Sequence, residues 1–142
     1  MDISNIHYST NCQSCGYIVE ITQDIIREEG VECDACGRHI SLWELPDKTL
    51  VKKIMEIRKN ELYVLWEQKK REYDEFSKAL QDLKNKLDCL NYPYEFILLR
   101  QSRKEDLQDR IAALEPQVAA IKCTTEDIYN HYAGIKNRLN RL

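Results

Sequence analysis

Four cysteines near the start of the chain are spaced for metal chemistry. "CQSCG" at residues 12 to 16 and "CDACG" at 33 to 37 place Cys12, Cys15, Cys33 and Cys36 in the pattern Cys-x2-Cys-Gly-x16-Cys-x2-Cys-Gly. Two residues between cysteines let one tight turn offer both sulfurs to the same ion, and the intervening segment is long enough to bring a second such turn alongside. Tetrahedral binding of one structural zinc ion per chain by four thiolates is the chemistry this pattern suits best. Gly16 and Gly37 each follow the second cysteine of a pair, where a residue without Cβ can take positive φ and turn the chain away from the ion. A lone Cys-x-x-Cys also serves as a redox dithiol, but that role needs no duplicate, and no strand–helix–strand pattern surrounds either pair. His7 and His39 are possible nitrogen ligands; with four thiolates filling the site, both are expected at the surface.

The elements that must position these cysteines are short. "YIVEIT" (17 to 22) is rich in β-branched residues and reads as a strand. "QDIIREEG" reads as a helical turn ending at Gly30, or as a loop. "VEC" leads into the second knuckle and "HISLW" leads out, as paired short strands. Some 45 residues cannot bury enough apolar surface to fold alone, so the metal is expected to supply much of the stability. With its two Cys-x-x-Cys-Gly knuckles and strand-like flanks, this third of the chain resembles the zinc-ribbon proteins. The resemblance implies a thiolate zinc site and a small β fold. It implies little about activity, because ribbons serve transcription factors, ribosomal proteins, enzymes and adaptors alike. Rubredoxins use similar knuckles for iron, but here the interval is short and only Tyr17 and Trp43 offer aromatic cover.

From Pro46, placed to suit the first turn of a helix, the pattern changes. Leu62, Trp66, Lys69, Tyr73, Phe76, Leu80, Leu83, Leu87 and Leu90 recur at steps of four and three. So do Leu107, Ile111, Leu114, Val118, Ile121, Thr125, Ile128, Tyr132, Ile135, Leu139 and Leu142. These are coiled-coil seams. Before Leu62 the stripe Leu50, Ile54, Ile57 is out of phase, which predicts a stutter near residue 61. Pro93 in "NYPYE" ends the first helix near Leu90. The fold class is thus mainly α: a small N-terminal β zinc ribbon (1–45), then a long antiparallel coiled-coil hairpin (46–142). Its helices span about 47–90 and 95–142, with the turn at 91–94. Pairs such as Leu80 with Leu107 and Leu62 with Thr125 have residue numbers adding to 187, which centres the register on the proline turn. Lys69 on the seam is expected to snorkel. Pro116 falls on the outward face of the second helix, where it kinks or breaks the helix near Glu115, with Thr124 or Thr125 able to cap a new start.

Charge narrows the function. Residues 1–45 hold eight acids (Asp2, Glu20, Asp24, Glu28, Glu29, Glu32, Asp34, Glu44) and two bases (Arg27, Arg38), a balance of −6. Four thiolates around a divalent ion would add −2, a poor surface for phosphates. The reading is an interaction, adaptor or regulatory protein and not an enzyme: the ribbon is the recognition head and the coiled coil the assembly surface. A protein partner is expected, with a homodimer through the arm supported by Tyr63, Val64 and Leu65 beside the seam. One alternative is a transcription regulator acting on RNA polymerase. The Cys spacing and hairpin resemble the zinc-finger regulators that enter the secondary channel of the bacterial enzyme, with Asp88 and Glu95 near the tip. In those proteins, however, the finger follows most of the hairpin. Another alternative is nucleic-acid binding through Lys69, Lys70, Arg71, Lys136, Arg138 and Arg141. Cys89 and Cys123 read as ordinary helix cysteines. "MDISNIHYST" reads as no secretory signal and no run is long enough to span a membrane, so a reducing, cytoplasmic setting is expected.

Overall fold

The computed structural model describes residues 8–90 and 97–142, with side chains described for 8–90 and 101–142. Element order is β1 (Tyr8–Asn11), β2 (Ile18–Ile21), α1 (Gln23–Glu28), β3 (Gly30–Glu32), β4 (His39–Ser41), a 3-10 turn (Leu42–Glu44), α2 (Lys48–Leu90) and α3 (Ile97–Asn140). The protein is mainly helical: two small N-terminal antiparallel hairpins are followed by two long helices packed against each other as a helical hairpin. The turn expected at 91–94 lies outside the described residues, as do His7 and Glu95.

Each β-hairpin carries one cysteine pair in its turn. β1 pairs with β2 from Tyr8↔Ile21 to Asn11↔Ile18, and β3 with β4 from Gly30↔Ser41 to Glu32↔His39. The sequence reading assigns no strand at β1, because "YSTN" lacks an apolar alternation; its extended state comes from pairing with β2. In β2 the alternation is clear, with Val19 and Ile21 buried and Ile18 and Glu20 outward. Thr22 caps α1, its Oγ1 accepting from the Ile25 N–H. The helix closes at Glu29, which takes the left-handed conformation (φ 57°) and donates its N–H to Ile26. That is one residue before the glycine expected to end it. Gly30 serves a different need, since a Cβ there would lie 2.9 Å from His39 Cε1 and 3.1 Å from the Ile40 carbonyl oxygen.

Compactness divides the chain into two units. The first runs through Glu61 and also takes in Ala133–Leu142; the second is Leu62–Tyr132. The most completely buried side chains (Ile21, Leu42, Ile54, Met55, Val51 and Cys33) all belong to the first. α2 enters this unit through an Asp47 cap whose Oδ1 accepts from the Thr49 and Leu50 N–H groups, so Pro46 stands before the cap and not in the first turn. The stutter expected near residue 61 is absent. Val51, Met55, Arg58 and Leu62 keep the steps of four and three and are buried or half-buried, with Ile54 buried beside them. The apolar face is wider here, not shifted.

Polar ties reinforce this unit. Glu61 accepts from Gln23 Nε2 at 2.9 Å and pairs with Arg27 and Arg58 at 3.8 and 3.6 Å. Trp43, 7% exposed, donates its indole N–H to Glu29 Oε1 at 3.1 Å while the Arg138 guanidinium stacks 4.4 Å from its ring centre.

In the second unit every expected seam position from Leu62 to Leu90 and from Leu107 to Tyr132 is buried or half-buried. Leu142, expected to continue the second seam, is exposed. Lys69 snorkels, reaching Glu72 at 2.9 Å. Pro116 does not break α3: it sits exposed within the continuous helix. Thr124 and Thr125 cap nothing; their hydroxyls donate to the carbonyls of Ala120 and Ile121 one turn back.

The register differs from the one the proline turn suggested. Tyr63 meets Tyr132 and Trp66 meets Tyr129 at ring-centre distances of 5.6 and 5.4 Å, and Lys84 pairs with Glu115 at 3.2 Å. In a register of 187, Trp66 and Tyr129 would be offset by eight residues, about 12 Å along the axis. A register near 194, one heptad on, fits both ring contacts, leaves Lys84 and Glu115 within reach of their long side chains, and sets Leu80 opposite Leu114 and Leu62 opposite Tyr132. It also sets Leu90 opposite Lys104, which is half-buried while Gln101, Ser102 and Arg103 are exposed. Two heptad repeats accept any shift of seven, so periodicity alone could not choose.

Two outcomes are expected. Spin labels at Gln81 and Glu115, in a Cys89→Ser/Cys123→Ser background, should lie nearer than labels at Gln81 and Lys104 by on the order of 10 Å; the reverse order would restore the 187 register. Leu42→Ala should cost about 2–5 kcal/mol in denaturant unfolding, whereas exposed Leu65→Ala should stay within about 0.5 kcal/mol.

Candidate metal centre

The two cysteine turns are built alike. In the first, the Gly16 N–H donates to the Cys12 carbonyl and the Cys12 N–H to the Tyr17 carbonyl, both at 2.8 Å. In the second, the Gly37 N–H donates to the Cys33 carbonyl at 2.8 Å and the Cys33 N–H to the Arg38 carbonyl at 2.9 Å. Gly16 and Gly37 hold φ of +77° and +72°, with nothing near the place of a Cβ. Their glycine identity therefore answers to backbone conformation and not to crowding.

These turns bring all four expected ligands together. The Sγ atoms of Cys12, Cys15, Cys33 and Cys36 all lie within 4.8 Å of one another. Two of the contacts run between the turns, Cys12 to Cys36 and Cys15 to Cys33, each at 3.6 Å. A tetrahedral zinc with Zn–S bonds of about 2.3 Å has edges of about 3.8 Å, so the cluster fits a metal of that size. The same distances are far beyond a disulfide bond of about 2.05 Å, and all four cysteines are free. Exposed His39 is not among the clustered groups, as expected.

Burial and charge complete the site. Cys12 and Cys33 are 2% exposed and share a small apolar cluster with Val19, against which Val31 and Ile40 pack; Cys15 and Cys36 face outward. The Cys12 thiol is lowered to about 6, first by the backbone N–H of Cys15 and then by that of Ser14, with the Cys36 and Cys15 thiols adding to the effect. Cys15 moves the other way, to about 12. The Tyr17 N–H acts to lower it, but burial and the thiols of Cys33, Cys12 and Cys36 outweigh that. Cys12 readily carries charge while Cys15 beside it resists doing so, a conflict that a divalent cation among the sulfurs would remove. Bound there, zinc would clamp the two hairpins and keep no open position for water.

Cysteine spacing could not disclose the supports. Arg38 of the second turn donates to Ser14 Oγ of the first at 2.6 Å, a second link between the knuckles. Trp43, considered only as aromatic cover, is tied instead to Glu29 and Arg138.

No family model, curated protein or solved structure matches the chain.

Protein prepared without oxygen should carry one zinc per chain, and Cys33→Ser should fall below about half an equivalent after dialysis. Because protons compete for the thiolates, lowering the pH from about 7 to about 5 should release the ion to a chromogenic chelator. In a Trp66→Phe background the emission of Trp43 should shift as metal leaves; an unchanged spectrum would mean that the unit containing Trp43 does not depend on the ion.

Proposed function

We propose that this is a non-catalytic, zinc-stabilised interaction protein in which the metal-clamped hairpins form a recognition head and the helical hairpin an assembly arm. The observation that supports it is the four-thiol cluster itself, since a zinc held by four sulfurs is saturated and serves structure. On the head, Tyr17 and Ile18 next to the first knuckle are 49% and 64% exposed. They lie within a segment of charge −6, which favours a protein partner offering an apolar contact with basic residues around it.

Nucleic-acid binding is less well supported, because several of the cations it needs are engaged within the fold. Lys69 pairs with Glu72, Lys70 lies 5.1 Å from the Trp66 ring centre, and Arg138 stacks on Trp43. The long helical hairpin favours a second reading, insertion into a channel of RNA polymerase. Asp88 is exposed near the end of α2, while Glu95, its expected companion, lies outside the described residues. Among the described residues no helix is long and apolar enough to cross a membrane. A reducing, cytoplasmic setting is proposed because it keeps the thiols available to the metal.

Affinity capture from the source cell separates these readings. The wild type should retain a specific protein that is lost both with Tyr17→Glu/Ile18→Glu and after zinc removal, and it should not bind DNA at physiological salt. Retention that survives zinc removal would refute the head as the recognition element. Recovery of polymerase subunits, lost with Asp88→Lys, would favour the second reading.

A further inference from the structure

The two seams of the helical hairpin are each interrupted once by a side chain that is neither aliphatic nor aromatic. From Leu62 to Leu90 on α2 the interruption is Lys69, and from Leu107 to Leu139 on α3 it is Thr125. Both are half-buried at their seam positions. Their polar atoms are satisfied within their own helices. Lys69 Nζ reaches Glu72 Oε2 at 2.9 Å, and the Thr125 hydroxyl donates to the Ile121 carbonyl at 2.7 Å. Neither therefore calls for a hydrogen bond across the seam, and what each puts into the seam is a place without an apolar knob.

The observed alignment brings these two interruptions together. The ring contacts of Tyr63 with Tyr132 and of Trp66 with Tyr129 put the helices in a register near 194, and there Lys69 stands opposite Thr125. A slip of one heptad parts them. At 187 Lys69 would face Val118 and Thr125 would face Leu62; at 201 they would face Tyr132 and Phe76. The slip to 187 strikes the core directly. Among the described residues of this unit the buried side chains are Leu62, Leu80 and Val118, at 3%, 9% and 9% exposure. Two of those three would gain a polar neighbour. At 194 they face Tyr132 and Phe76 instead.

We propose that Lys69 and Thr125 form a register lock, a single polar layer that selects one alignment of two helices whose heptads otherwise accept several. A polar residue at one core position sets register in coiled coils at some cost in stability. Here the lock acts by exclusion. Set opposite each other the two residues weaken one layer, and in every other heptad alignment they weaken two. Lys69 suits the role because its stem can lie in the seam while its ammonium leaves it for Glu72. What the lock protects is the surface built from both helices. One heptad of slip carries each residue of α3 about 10 Å along α2, so the paired rings and the contact of Lys84 with Glu115 belong to one alignment. The inference concerns the arm alone and stands whether or not the cysteines hold zinc.

Spin labels at Gln81 and Glu115, and in a second sample at Gln81 and Lys104, read the alignment in the intact chain with Cys89→Ser/Cys123→Ser. With Lys69 and Thr125 in place, each pair should give one distance, the shorter for Gln81 and Glu115. Lys69→Leu/Thr125→Val removes both interruptions and should add a second population, in which a slide of about 10 Å brings Lys104 nearly level with Gln81. Val118→Thr/Thr125→Val moves the threonine one heptad, reunites the polar pair at 187 and should make that second population the larger. The original distances alone in the apolar variant would overturn the proposal, as would a relocated variant that keeps its helicity and stays at 194. Should the relocated variant lose its helicity, the apolar variant decides by itself, since it has no lone polar group in any of these alignments. Two populations in the chain that keeps Lys69 and Thr125 would overturn the lock as well.

Discussion

Strands of three and four residues do not hold together in water by themselves, so the two β-hairpins depend on what joins their turns. The four converging thiols are that joint. Everything that makes the N-terminal segment a surface for other elements follows from it. Val19 and Ile21 point inward because β2 is paired, Leu42 and Trp43 are buried because β4 runs straight into the 3-10 turn, and α1 is held between the hairpins by its Thr22 and Glu29 ends. Without a divalent charge among them, Cys12 is the sulfur that takes the negative charge and Cys15 is held protonated beside it.

The start of α2 and the end of α3 share a compact unit with this segment. Apolar burial supplies the bulk of the contact through Val51, Ile54 and Met55, all fully buried, and through Ile135. The polar ties add direction more than strength. Glu61, with Gln23, Arg27 and Arg58 around it, specifies how α1 meets α2. Trp43 does the same for the end of α3, because an indole between Glu29 and the Arg138 guanidinium has a defined orientation that aliphatic contacts alone would not impose.

How far the sequence could be read follows the range of the interactions concerned. Cysteine spacing is local chemistry, and it picked out the four cysteines whose sulfurs the fold brings together. Heptad periodicity is likewise a property of one helix, and it identified the seam of each. Register, by contrast, is a relation between two helices, and a seven-residue repeat leaves it open; the proline turn pointed to the wrong heptad. β1 escaped notice because its extended state belongs to its partner strand. Residues 50–57 looked out of phase because a helix covered on more than one side buries more than one stripe. At the end of α1 the strongest local signal misled: Gly30 suggested the stop, yet Glu29 takes the left-handed conformation and Gly30 answers to His39.

The first compact unit is discontinuous in the chain, and this has a kinetic consequence. Both cysteine turns and the first part of α2 leave the ribosome before α3, so the two β-hairpins can assemble while most of the helical arm is still being made. Trp43, however, receives Arg138 only after residues 62–132 have run out along one helix and back along the other. The unit that forms first is thus also the one completed last, by a contact of very long sequence separation. Until α3 returns, the apolar start of α2 has lost part of its eventual cover. That interval, set by the time needed to make and fold the arm, is when the nascent chain is most exposed to chaperones, proteases and premature association.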